Sequence, residues 1–301
     1  MPVPYTMCFS NQILPSEKII MKFKYQILLS ILSGVLLAIS FPNANLEPLA
    51  FFGLVPLVIA VYYAESVKKA AFICYVAGVA HFGIVTYWLA YVSPWLLLVI
   101  LYGGVYFLIF GYILKKFFNL PKKGGLTFVL LIPSAWTALE YIRGNILTGL
   151  GWSLLGYSQY LTPPVIQIAD IVGAYGVSFF IVAVNCTVFI LIKERFLKVK
   201  EKFANEKKAI IVVSIMAFFV IGYGLLKMNE KLEGPKVKLS VLQGNIPLEW
   251  YWSSSPNTYK LIMTNILFFQ KKPQRIARNL SFGRKLLCPG SLKKIRIFTM
   301  R

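Results

Sequence analysis

Seven nearly unbroken apolar stretches run along the chain, at residues 23–41, 49–64, 70–91, 94–114, 125–142, 166–192 and 209–226. Most approach the ~20 residues an α-helix needs to cross ~30 Å of hydrocarbon. Lipid offers the backbone no hydrogen bonds, so each crossing is expected to be helical. The second and fifth stretches are the weakest. The second is short, and Pro133 and Glu140 interrupt the fifth. An ionisable group at that depth is expected to face protein or water. After the seventh stretch the period changes. In GPKVKLSVLQGNIPLEWYW, Val237, Leu239 and Val241 alternate with Lys238 and Ser240, the pattern of a half-buried strand. An α/β domain is expected to begin there. At the other end, MPVPYTMCFSNQILPSEKII lacks the charged start and apolar core of a signal peptide. Met21 opens a basic flank and an apolar helix, which leaves two readings of residues 1–20: a misassigned start site or a disordered tail.

Composition turns this pattern into a class. Of the 301 residues, 57% are hydrophobic and only 14% charged, against about a quarter charged in a soluble domain. The expected fold is a polytopic α-helical membrane bundle of about seven transmembrane helices, followed by part of an α/β domain. The net charge of +21 resembles a nucleic-acid signature until its placement is read. Sixteen Lys and Arg fall in one alternating set of connections: Lys18–Lys24, Lys68–Lys69, Lys115–Lys123 and Lys193–Lys208. The opposite connections hold only Arg143. Such asymmetry predicts a cytoplasmic N-terminus and, after seven crossings, an external chain beyond about residue 228.

Candidate chemistry is sparse. The single histidine, His81, and four dispersed cysteines offer no metal-ligand spacing, so neither a metal site nor a cofactor is expected. Cys74 and Cys186 read as small buried hydrophobes. His81 reads as a hydrogen-bonded helix-packing residue. Residues 143–165 form a long external loop rich in glycine and aromatics. Two readings of its Trp152, Tyr157 and Tyr160 stand side by side: an interfacial aromatic belt, or the wall of a lipid-accessible cavity.

WTALEYIRGNILTGLGWSLLGYSQ and PPVIQIADIVGAYGVSFFIVAVN resemble the membrane domain of bacterial apolipoprotein N-acyltransferases, and VKLSVLQGNIP resembles the first strand of that family's nitrilase-like domain. The resemblance spans roughly residues 21–267. It implies an enzyme of lipoprotein maturation in the bacterial inner membrane, with an α/β/β/α nitrilase-like domain on the outer face. In that family a cysteine thiolate takes an acyl chain from a phospholipid as a thioester. The amine of a diacylglyceryl-cysteine on an apolipoprotein then accepts the chain, with a glutamate as general base and a lysine at the oxyanion. The implied partners are phospholipid, diacylated apolipoprotein and the bilayer, with no nucleic acid. Trp252, or next to it Trp250, fits the family's tryptophan after QGNIP; an interfacial anchor is the competing reading. Trp152 and Tyr157 join them as candidate substrate contacts. Glu140 and Arg143 match the family's E-x-x-R-G stretch and read as a packed polar pair at a helix end.

The sequence also departs from the family. No acidic residue follows Glu249, so the family's WPE glutamate, and the lysine and cysteine beyond it, have no counterpart here. Catalytic residues are therefore assigned to no position, Cys288 included. Residues 270–301 carry ten Lys and Arg and no acid. Reading the last base of each codon with the first two of the next, RNLSFGRKLLCP is compatible with a shifted ELIVWPET-x-LP. This predicts a frame break near residues 266–270. The expected organisation is a doubtful leader at 1–20, a membrane domain at 21–228, the beginning of a nitrilase-like domain at 236–267 and an out-of-frame or disordered basic tail at 268–301. The 301-residue chain alone is expected to be catalytically incomplete. The alternative is a non-enzymatic transporter or lipid-binding scaffold, though the chain shows no internal repeat of the kind transporters carry.

Overall fold

A computed structural model describes residues 21–42, 44–146, 149–195 and 203–230. The strand at 237–241, Trp250, Trp252 and the basic tail lie outside the described residues. Within residues 21–230, which form one compact unit, the described chain is helical and carries no strand. Eight α-helices run in order: α1 (Phe23–Ile39), α2 (Val55–Tyr63), α3 (Val67–Val85), α4 (Leu98–Phe118), α5 (Gly125–Asn145), α6 (Pro163–Ile166), α7 (Ala169–Arg195) and α8 (Glu206–Met228). Five of them, α3, α4, α5, α7 and α8, are long and apolar enough to cross a membrane, whereas Phe23–Ile39 and Glu47–Tyr63 are shorter apolar segments.

Helix ends differ from the apolar stretches because charge was read as a stop. Lys68 and Lys69 sit in the first turn of α3, Lys115 and Lys116 in the last turn of α4, and Lys193 near the end of α7. Lysine is a good helix former, its stem packs on apolar surface, and its charge suits a helix C-terminus. The fifth stretch is not interrupted. α5 continues for 21 residues through Pro133, and Ser134 Oγ donates to Leu130 O at 2.8 Å beside the turn that lacks a proline N–H. α7 bends at Gly173, whose φ of 65° favours glycine.

The second stretch is a broken element, a 3-10 turn at Glu47–Phe51 followed by the nine-residue α2. Its orphan backbone groups are met by side chains from neighbouring helices. Asn185 of α7 accepts from Leu54 N (2.9 Å) and donates to Ala50 O (2.8 Å). At the other end Lys115 Nζ donates to Tyr62 O (3.0 Å) and Gln26 Nε2 to Tyr63 O (3.1 Å). Asn185→Leu is expected to leave a buried donor and acceptor unpaired and to lower stability by about 2–4 kcal/mol. Thermal unfolding in detergent, followed by tryptophan fluorescence, checks this.

Small residues set the close packing. A Cβ on Gly34 of α1 would collide with Ala77 O of α3, one on Gly78 of α3 would meet Phe107 Cβ at 2.8 Å, and one on Gly103 of α4 would collide with the Phe82 ring. The bundle has two chemically distinct ends. At one, the basic connections converge: Gly125 N donates to Ala204 O (2.6 Å), Ala204 N to Lys123 O (2.7 Å), and buried Lys193 pairs with Glu206 while lying 3.8 Å from the Phe203 ring centroid. At the far end Tyr160 Oη donates to Asn45 Oδ1 (2.6 Å) and Gln159 Nε2 to Glu47 O (2.9 Å).

Candidate functional site: an aromatic loop at the far end of the bundle

The last two turns of α5 carry Glu140 and Arg143, 5% and 3% exposed. They do not bond to each other: no ion pair within 4 Å joins them among the described residues. Instead both hold the chain that follows. Glu140 Oε1 accepts from Trp136 Nε1 (3.0 Å), one turn earlier, and from Leu155 N (2.7 Å). Arg143 Nη1 donates to Leu150 O (3.0 Å) and Trp152 O (2.5 Å), and Nη2 to Ser153 O (3.4 Å). Its guanidinium carbon lies 5.1 Å from the centroid of the Phe82 ring of α3. The pair is thus two separate clamps on one loop.

Local sequence makes the clamped turn possible. Gly149 has φ +74°, and a Cβ there would come within 2.6 Å of Gly144 O, so the reversal after α5 depends on glycine. Leu150 N then donates to Arg143 O at 2.8 Å. Further on, Gly156 N donates to Ser178 Oγ of α7 (2.8 Å), and its missing side chain lets the loop lie directly on Ala174 O.

The clamped loop turns its aromatic side chains outward. Trp152 is 50% exposed and its ring lies 5.4 Å from that of Trp88, in the connection between α3 and α4. Tyr157 and Tyr160 are exposed on the 3-10 turn Leu155–Gln159 and its cap. Tyr87, Tyr91 and Trp95 add further exposed rings in the 87–95 segment. The structure therefore brings Trp152 together with Glu140 and Arg143 and places Tyr157 on the same loop. It adds Trp88, Trp136 and Ser178, which sequence reasoning did not single out. For Trp136 the signal was present, since it stands one helical turn before Glu140. Trp88 carried none, because its partner is 64 residues away.

Below the loop, α1, α3, α4 and α5 line a partly open cavity of ≈ 30 Å³ that His81, Tyr106, Glu140, Arg143 and Ser153 share with apolar side chains. His81 is buried against Phe41, Phe82 and Phe107, as a packing residue should be. Its Nδ1, however, has no hydrogen-bond partner, a difference from the hydrogen-bonded residue expected. Cys74 and Cys186 are buried free thiols.

Residues 33–187 match the family model described as "Apolipoprotein N-acyltransferase N-terminal domain". Among curated proteins the chain is similar to the apolipoprotein N-acyltransferase of Geobacter metallireducens, 32% identical over 240 residues that cover 76% of this chain and 45% of that protein. It is also similar to those of Chlorobaculum tepidum, 29% identical over 74% of this chain and 42% of the relative, and Haemophilus influenzae, 28% identical over 85% and 50%. The chain spans about half the length of these relatives.

Proposed function

We propose, from the premise that the chain belongs to the apolipoprotein N-acyltransferase family, that it supplies the membrane domain of such an enzyme, residues 21–228, and presents lipid substrates at its far end. On this reading the bundle crosses the bacterial inner membrane seven times, the two shorter segments included. The basic end is cytoplasmic and the loop at 146–162 lies at the outer interface. Residues 236–267 begin the nitrilase-like domain, and the acyl-transferring glutamate, lysine and cysteine belong to that domain's later part. The acyl donor is a phospholipid and the acceptor the amine of a diacylglyceryl-cysteine.

One observation carries the proposal: the loop whose backbone is fixed by Glu140 and Arg143 turns the Trp152 ring outward beside Trp88 at the end opposite the basic connections. A fixed backbone with exposed, rigid aromatic rings suits the boundary between acyl chains and head groups, where one side of the ring meets hydrocarbon and the other water. Glu140 and Arg143 then act as positioning residues. Trp250 and Trp252 are proposed as further contacts from the nitrilase side.

A fluorescent diacylated lipopeptide titrated onto the detergent-solubilised chain tests this reading. Trp152→Ala is expected to weaken binding about two- to twelvefold, in line with the roughly 0.5–1.5 kcal/mol of an aromatic contact. Unchanged affinity in a folded Trp152→Ala protein would sink the assignment.

A further inference from the structure

Two basic segments far apart in sequence, around Lys122–Lys123 and Lys207–Lys208, are fastened together at the end of the bundle away from the aromatic loop. Lys123 O accepts from Ala204 N (2.7 Å) and Ala204 O from Gly125 N (2.6 Å). The first residues of α5 and α8 pack so closely that a Cβ on Gly125 would lie 2.9 Å from Glu206 Cα. The Phe203 ring packs against Phe117 and Phe118 of α4 and Phe128 of α5, with centroids 6.2, 6.4 and 5.5 Å away. The α4–α5 connection and the start of α8 are therefore one fixed corner.

The charge of that corner has no counterweight within the described residues. Lys122, Lys207 and Lys208 are exposed and enter no ion pair there. The adjacent carboxylate, Glu206, is already committed, since it pairs with buried Lys193 and accepts from Phe203 N. By sequence, residues 194–202 add four basic residues against two acids. Like charges fixed in one place raise the local potential and attract anions.

The surface beside the lysines decides which anion fits. Ile211 stands four residues after Lys207 and three after Lys208, and Ile215 follows one turn later, so these side chains share one face of α8. Both isoleucines are exposed, 56% and 61%, and α8 is the least buried of the five long apolar helices. Positive charge at the head of an exposed apolar stripe matches the two halves of an anionic lipid. Free phosphate would use the lysines and leave the stripe uncovered.

We propose that this corner binds an anionic phospholipid as a structural partner, its phosphate on Lys122, Lys207 and Lys208 and its acyl chains along Ile211 and Ile215. The bound lipid ties the α4–α5 connection to the start of α8. It lies at the end opposite the aromatic loop, so it is neither acyl donor nor acceptor, and this inference and the acyltransferase reading can fail separately.

Native mass spectrometry of the whole chain in a mild detergent, titrated with dioleoyl phosphatidylglycerol, tests the site. Saturable binding is expected, which dioleoyl phosphatidylcholine does not reproduce and millimolar inorganic phosphate does not displace. Lys207→Gln/Lys208→Gln is expected to weaken it about ten- to thirtyfold, and Lys122→Gln, on the other segment, about fivefold. Lys207→Arg/Lys208→Arg should keep the affinity within about twofold, since the phosphate still meets two cations. Lys22→Gln/Lys24→Gln removes the same charge at the start of α1 and is expected to change little. Equal losses in the two double Gln variants would mean diffuse attraction and overturn the site. Phosphatidylcholine binding as tightly as phosphatidylglycerol, or displacement by inorganic phosphate, would overturn the lipid assignment. So would unchanged affinity in a folded Lys207→Gln/Lys208→Gln chain or, should that variant not fold, in Lys122→Gln.

Discussion

Arg143→Met is expected to release the 146–162 loop and to destabilise the bundle by about 3 kcal/mol, the lower end of what removing one member of a buried charged group costs. The guanidinium donates to three carbonyls of one loop, those of Leu150, Trp152 and Ser153. Methionine fills the volume but donates nothing. The carbonyls then turn to water, and Glu140 stays buried with its nearest compensating charge gone. Arg143→Lys keeps the charge but loses the planar fork that reaches several carbonyls at once, so it is expected to recover only part of the loss. Two measurements check this: the thermal midpoint in detergent, and limited proteolysis, in which new cleavage should fall within residues 146–162. Equal midpoints and equal protease resistance for Arg143→Met and the wild type would contradict the clamp.

Gly111→Leu is expected to have a comparable or larger effect by another route. A Cβ at this position of α4 would meet Cys74 Sγ at 2.6 Å, Cys74 Cβ at 2.7 Å and Ala70 O of α3 at 2.8 Å. One of these atoms is backbone, so rotamer changes cannot relieve the contact, and α3 and α4 must separate. Overpacking of this kind costs typically 1–3 kcal/mol, and a leucine belongs at or above the top of that range. Cys74 supplies a direct readout because its thiol is fully buried in the wild type. In a background lacking Cys8 and Cys288, a maleimide should modify Cys74 many times faster in Gly111→Leu than in the parent, with buried Cys186 as the internal control. Unchanged Cys74 reactivity together with an unchanged midpoint would show that the helices do not touch at Gly111.

The long spans α3, α4, α5, α7 and α8 were legible because apolar run length is a direct measure of what lipid requires. The second stretch was not. Residues 49–64 read as a short, weak span, and the break within them is made possible by Asn185, Lys115 and Gln26, remote groups that satisfy its ends. Pro133 was overread as an interruption, since a helix inside a bundle can lose one N–H bond without ending. At the site, Glu140 stood out as a charge inside an apolar run and Arg143 as the one basic residue of the opposite connections, and their match to the family's E-x-x-R-G stretch reads as a packed polar pair. Their partners turned out to be peptide groups of Leu150, Trp152, Ser153 and Leu155, and backbone atoms leave no mark in a sequence. The contact of Trp88 with Trp152 and the shared cavity of His81 and Glu140 depend on how α3 and α5 pack, which no local pattern encodes. The basic residues were the most informative feature. The connections they mark meet at one end of the bundle through Lys123, Ala204, Lys193 and Glu206.

The central claim is that the far-end aromatic loop touches the lipid of an apolipoprotein-like substrate. Site-specific photo-crosslinking tests it most directly, with benzoylphenylalanine placed singly at Trp152, at Tyr157 and, as a lipid-facing control on α5, at Leu130. The chain is reconstituted in phospholipid bilayers and irradiated with a radiolabelled diacylglyceryl-cysteine peptide. Strong adducts at 152 and 157, competed away by unlabelled lipopeptide and weak at 130, are the predicted result. Adducts of equal yield at all three positions, or no competition at 152, would contradict it.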